Sequence, residues 1–134
     1  MSGEQLQKVL YVEDDGDIRT IALLALETVG GLQVRACSSG AEAVQAAPSF
    51  GAQLLLLDVM MPGMDGPTTL ARLRELPATR DVPVIFMTAK VQASEIEQYK
   101  ALGALGVISK PFDPMALAGQ VQAHWQERSG GQQR

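Results

Sequence analysis

The side chains best suited to chemistry in this sequence are Glu13, Asp14, Asp58, Thr88 and Lys110, and each closes a short apolar run. Asp58 is the clearest case. It follows Leu54-Leu55-Leu56-Leu57 and precedes a turn rich in proline and glycine, Val59 to Gly66. A carboxylate beside that much hydrocarbon is costly unless a cation or hydrogen-bond donors meet it. Glu13 and Asp14 supply two more carboxylates, and such a cluster raises its pKa values or recruits a cation. Hard oxygen ligands, completed by a backbone carbonyl, suit Mg²⁺. The Thr88 hydroxyl and the compact Lys110 charge would neutralise the equatorial oxygens of a phosphoryl group carried on Asp58. Taken singly, each residue has an ordinary role. Glu13-Asp14-Asp15 suits a helix amino terminus, Asp58 suits a turn, Thr88 suits a strand end, and Lys110 suits a solvated surface. Their recurrence at successive strand ends argues for an aspartyl-phosphate site.

The elements that must position these groups follow from the apolar spacing. Strands are expected at 8–12, 32–36, 52–57, 83–87 and 106–109. Asp15 or Gly16 caps a first helix with Ile18, Ile21, Ala22, Ala25 and Val29 inward, ended by Gly30-Gly31. Ser38 or Ser39 opens a short helix with Ala43, Val44 and Ala47 inward, stopped by Pro48. Pro67 starts a helix carrying Leu70, Leu73 and Leu76, closed by Pro77. Further helices are expected at about 92–102 and from 113 to about 126. Five alternations of strand and helix predict an α/β domain, a parallel sheet covered on both faces. In such a sheet the carboxyl ends of the strands share one edge, where ligands bind. That edge would collect all five side chains.

Composition narrows the function. A chain of 134 residues, 46% hydrophobic and 19% charged, can bury a core as one globular domain. Residues 1–128 are assigned to that domain and 129–134 to a flexible tail. A net charge of −4 argues against direct contact with nucleic acid. The one cysteine, Cys37, excludes an internal disulfide and is expected as a small packed hydrophobe. A polar amino terminus and the lack of any membrane-length apolar stretch point to the cytoplasm, with no membrane contact.

The chain resembles the response-regulator receiver domain of two-component signalling over Lys8 to about Trp125. The resemblance rests on Val12-Glu13-Asp14-Asp15, the Asp58-to-Gly66 segment, Thr88-Ala89-Lys90 and Lys110-Pro111-Phe112. It implies a flavodoxin-like, doubly wound sheet in strand order 2-1-3-4-5 flanked by five helices. It further implies Mg²⁺ held by Glu13, Asp14, Asp58 and the Met60 backbone carbonyl, and a cis Lys110–Pro111 bond. Asp58 would take its phosphoryl group from a sensor histidine kinase or a histidine phosphotransfer protein, with Thr88 and Lys110 assisting. The expected output is a changed protein contact through the helix 4–strand 5–helix 5 face, which also serves as a dimer surface in the family. Because no output domain follows residue 134, a stand-alone regulator that turns over no free substrate is expected. The rival readings are a phosphorylation-independent scaffold and a phosphohydrolase. The hydrolase would want a second aspartate two residues after the nucleophile, where Met60 stands.

This chain departs from its family at several places. Many receivers carry an aromatic residue three before the lysine; here Val107 stands there and cannot present a ring in two places. Leu105 and Val107 are expected either to form part of a small apolar docking patch or to be two ordinary packed residues. A bulky Met60 and a cationic Lys90 should hinder an attacking water and prolong the phosphorylated state. His124 is expected at the surface, and Trp125 packed at the end of the last helix.

Overall fold

A computed structural model describes residues 4–132, with side chains to residue 128. Five strands form one parallel sheet: β1 (Lys8–Val12), β2 (Gln33–Cys37), β3 (Leu54–Asp58), β4 (Val84–Thr88) and β5 (Ala104–Ser109). Their order is β2-β1-β3-β4-β5, the flavodoxin-like arrangement. Every residue of β3 and β4 is buried, as continuous apolar strands at the centre of a parallel sheet must be. The outer strands β2 and β5 alternate in exposure instead. That difference in pattern separates central strands from edges.

The helices are α1 (Gly16–Leu24), α2 (Gly40–Phe50), α3 (Gly66–Arg74), α4 (Ala93–Ala101) and α5 (Leu117–Gln132). Val9, Tyr11, Leu54, Leu56, Ile85 and Met87 point into one core with α1 and α5. Leu10, Val12, Leu55, Leu57, Val84 and Phe86 point into the other, with α2 and α3. The period-two alternation along each strand thus feeds two layers. Asp15, Ser39 and Asp65 cap α1, α2 and α3, each side chain accepting from backbone amides of the first turn.

Several boundaries differ from the sequence expectation. The first helix does not continue in one phase, because Ala25–Val29 form a π-helical turn. The wider turn rotates the buried face. Within that turn Leu26 is buried and Val29 is 50% exposed; Ile21, which precedes it in α1, is 46% exposed and also faces outward. Pro48 does not stop α2; it sits in the last turn, and Gly51, left-handed at φ +77°, ends the helix. The last helix starts at Leu117, not 113, because Asp113 first organises a separate turn. Its carboxylate accepts from Met115 N (2.9 Å), and its carbonyl accepts from Ala116 N and Leu117 N. The tail expected over 129–134 falls at the margin: helical backbone continues to Gln132, and residues 133–134 lie outside the described residues.

Trp125 is buried and donates from its indole to Glu4 O (3.1 Å). His124 is not the surface residue expected. Its ring rests against Gly106 of β5, where any side-chain carbon would collide with it, and its side chain is 25% exposed. Cys37 is buried, and burial pushes its thiol up to about 11.

Candidate functional site

The site forms where β1, β3, β4 and β5 end. Glu13 extends the β1 ladder by one bond, its amide donating to Cys37 O (3.0 Å), and its side chain is 1% exposed. The following loop is held from α1: Arg19 donates to the Glu13 carbonyl (2.8 Å). Asp14, next in the chain, is exposed. Asp58, last in β3, is 2% exposed. Gly66 closes over it, since a Cβ at that position would lie 2.6 Å from Asp58 O. Only glycine lets the start of α3 approach the strand end that closely.

Lys110, directly after β5, reaches back across the sheet edge. Its Nζ lies 3.0 Å from Glu13 Oε1 and 3.1 Å from Asp58 Oδ1. Its backbone amide donates to Thr88 O (3.0 Å), which ties the ends of β4 and β5 together. The peptide bond from Lys110 to Pro111 is cis. Thr88 is buried, and its hydroxyl oxygen accepts from Lys90 N (3.1 Å) in the loop leading to α4.

Electrostatics follow from this packing. Burial pushes the Asp58 carboxyl up to about 6; the Lys110 ammonium opposes the rise and the Glu13 charge adds to it. Burial works against the charge on Lys110, but its bonds to Glu13 and Asp58 outweigh that and raise its pKa. Carboxylate oxygens of Glu13, Asp14 and Asp58 lie within 4.8 Å of one another. Three carboxylates face one ammonium, so the pocket carries excess negative charge. All its ligands are oxygens, and Asp14 opens to water, which suits Mg²⁺ with part of its hydration kept.

Glu13, Asp14, Asp58 and Lys110, all expected from sequence, therefore meet in one pocket, with Thr88 at the adjoining strand end. Met60 lies on the loop after Asp58 with its side chain 67% exposed. Leu105 and Val107 are both half-buried, and Leu105 packs on the core beside α5, which favours the packed alternative for Leu105. Large exposed apolar side chains gather instead on α1, its π-turn and the approach to α5, at Ile21, Leu24, Val29 and Met115. Sequence reasoning passed over Arg19 and Tyr11, and placed Gly66 in a motif without giving it a role. The Tyr11 hydroxyl is buried with no hydrogen-bond partner among the described residues. Burial first, then the Glu13 and Asp58 charges, drive its pKa above the usual range. A tyrosine two residues before Glu13 was the available signal, since alternation puts both on one face.

Known proteins bear on this geometry. Residues 9–122 match the family model described as the response regulator receiver domain. The transcriptional regulatory protein CseB of Streptomyces avermitilis is 36% identical over 115 residues, covering 86% of this chain and 47% of that protein. A probable cyclic di-GMP phosphodiesterase of Vibrio cholerae is 30% identical over 130 residues, 96% of this chain but 29% of that protein. The chain thus spans half or less of these curated relatives. Among solved structures, the Vibrio cholerae chemotaxis protein CheY4 superposes with a TM-score of 0.80 at 28% identity. It covers 89% of this chain and 98% of that one. A putative response regulator from Chloroflexus aurantiacus gives 0.77 at 32% identity, covering 90% and 98%. Receiver domains are phosphorylated by histidine kinases or phosphotransfer proteins and bind Mg²⁺ at an acidic pocket. With the family model spanning the sheet and every strand end that builds the pocket, this chain belongs to the response regulator receiver domain family.

Proposed function

We propose that Asp58 is the phosphoacceptor of a response regulator that signals through protein contacts. The observation that carries this reading is the ammonium of Lys110 held between Glu13 and Asp58 at 3.0 and 3.1 Å, both carboxylates being buried. An Asp58 oxygen attacks the phosphorus of a phosphohistidine, the P–N bond breaks, and the imidazole leaves with the bonding electrons. The product is an acyl phosphate on Asp58. Lys110 already lies against the attacking carboxylate, so it needs little reorganisation to pair with a phosphoryl oxygen. Thr88, at the next strand end, supplies a hydroxyl donor to another. Glu13, Asp14, Asp58 and the Met60 carbonyl would hold Mg²⁺, which neutralises phosphoryl charge when bound.

Met60 and Lys90 flank the pocket with exposed side chains, where they obstruct an attacking water and slow hydrolysis. No free substrate is turned over in this scheme. A phosphohydrolase lacks support because Met60, not an acid, follows Asp58 by two residues. A stand-alone regulator is supported by CheY4, 98% of whose chain is covered, and the lack of DNA contact by the net charge of −4. No helix among the described residues is long and apolar enough to cross a membrane.

Incubation with Mg²⁺ and acetyl phosphate tests the central claim. One phosphate of added mass, absent in Asp58→Asn, is expected. No gain would favour a scaffold, and steady phosphate release would favour a hydrolase. The size of the polypeptide in extracts of its source cells tests the stand-alone reading.

A further inference from the structure

Helix α4 is seated differently from the other helices. None of its residues is buried. Among the described residues of α4, Tyr99 alone packs against a hydrophobic core. Its ring lies on Phe86 of β4, centroids 5.1 Å apart and planes tilted by 43°. Phe86 is placed tellingly. It precedes Thr88 by two residues, so both side chains share a face of the sheet. Its partner across the ladder is Val107. The face beside Val107 therefore has an aromatic ring after all, delivered from α4 and not from β5.

A mechanical link joins this ring to the pocket. The Thr88 hydroxyl holds Lys90 N (3.1 Å), and the loop from Lys90 runs directly into α4 at Ala93. Movement of Thr88 toward a phosphoryl oxygen on Asp58 would pull that loop. The Tyr99–Phe86 contact ties α4 to β4 and so opposes such a pull. Glu95 and Asp65 add negative charge around the Tyr99 hydroxyl, and Asp65 caps α3 at the far end of the loop from Asp58. Tyr99 thus joins α4 to β4 on the side of the start of α3.

We propose that Tyr99 is the latch through which the state of Asp58 reaches α4: its ring on Phe86 holds the helix until Thr88 draws the β4–α4 loop inward. This rests on Asp58 being the phosphoacceptor. Tyr99 is a positioning residue and takes no part in the transfer itself. The ring does the holding, so Tyr99→Phe should behave as wild type.

Two measurements on the same proteins test it: phosphate mass gain from acetyl phosphate with Mg²⁺, and amide exchange of residues 89–102 with and without beryllofluoride and Mg²⁺. In wild type and Tyr99→Phe, beryllofluoride should speed exchange in this segment by about tenfold. In Tyr99→Ala the segment should exchange at that faster rate without it and respond no further, while the phosphate gain persists. If Tyr99→Ala does not fold, Tyr99→Leu, which keeps apolar volume without a ring, carries the same comparison. A Tyr99→Ala or Tyr99→Leu response equal to wild type would overturn the latch. So would loss of phosphate gain in those variants alone, which would place Tyr99 in the service of the pocket. Absence of phosphate gain in wild type would instead overturn the phosphoacceptor reading, and the latch with it.

Discussion

The floor of the pocket and the α4 side of the same domain are built to different standards. At the floor, Glu13 and Asp58 are nearly sealed, bridged by Lys110, and set at the ends of strands whose neighbours are fully buried. A few ångströms along the edge, Thr88 is coupled to a loop by one hydrogen bond, and that loop leads to a helix with no buried residue. Charge chemistry needs groups held in fixed places, because an electrostatic site that must reorganise loses its advantage. A signal needs a part that moves at small cost, and segments with few buried contacts open most easily. On the proposed reading, the contrast teaches that the two tasks are divided along one sheet edge.

That division can be broken at the floor first. Asp58→Asn should abolish phosphate gain, read by intact mass. It should also stabilise the fold at pH 7 without Mg²⁺ by about 1–3 kcal/mol in urea denaturation, since a desolvated charge next to Glu13 is removed. Lys110→Ala should do the reverse, costing roughly 2–4 kcal/mol, because Glu13 and Asp58 then face each other without a cation. Added Mg²⁺ should restore much of that loss, as a rise in Tm.

The pH dependence sharpens the same point. The Asp58 carboxyl titrates near 6 in the folded chain, against 3.8 ordinarily. Between those values the folded state binds more protons than the unfolded state, so stability falls as pH rises through the window. The contribution is fully present below the lower value and lost above about 6. Tm measured from pH 4 to 7 without Mg²⁺ should show this decline, and Asp58→Asn should flatten it.

On the mobile side, effects should be smaller. Met60→Asn should shorten the life of the phosphorylated protein a few-fold, by admitting and orienting water; unchanged decay would count against the shielding role of Met60. Ile96→Ala in α4 should cost about 1 kcal/mol or less, since that side chain is only half-buried. A cost like that of a core leucine, about 3 kcal/mol, would show that α4 is anchored after all.

Much of the floor was legible in the residues. Asp58 announces itself because a charge closing four leucines demands a partner, and strand alternation with helices sends Glu13, Thr88 and Lys110 to the same edge. The α4 side was far less legible. Val107 could be read only as a missing ring, since the ring that faces its strand neighbour comes from a helix eight residues earlier in the chain. The outward face of Val29 was hidden for a related reason: a π-helical turn leaves no mark in a period of three and four.

By itself, then, the sequence determined the α/β class, the central strands and which polar side chains gather at one sheet edge, because burial patterns and turn residues act over a few neighbours. Tertiary structure alone decided which oxygens Lys110 bridges, that Gly66 closes on Asp58, that His124 rests on Gly106, and that Tyr99 meets Phe86. Those are contacts between segments far apart or differently oriented, and only their packing fixes the distances on which charge and leverage depend.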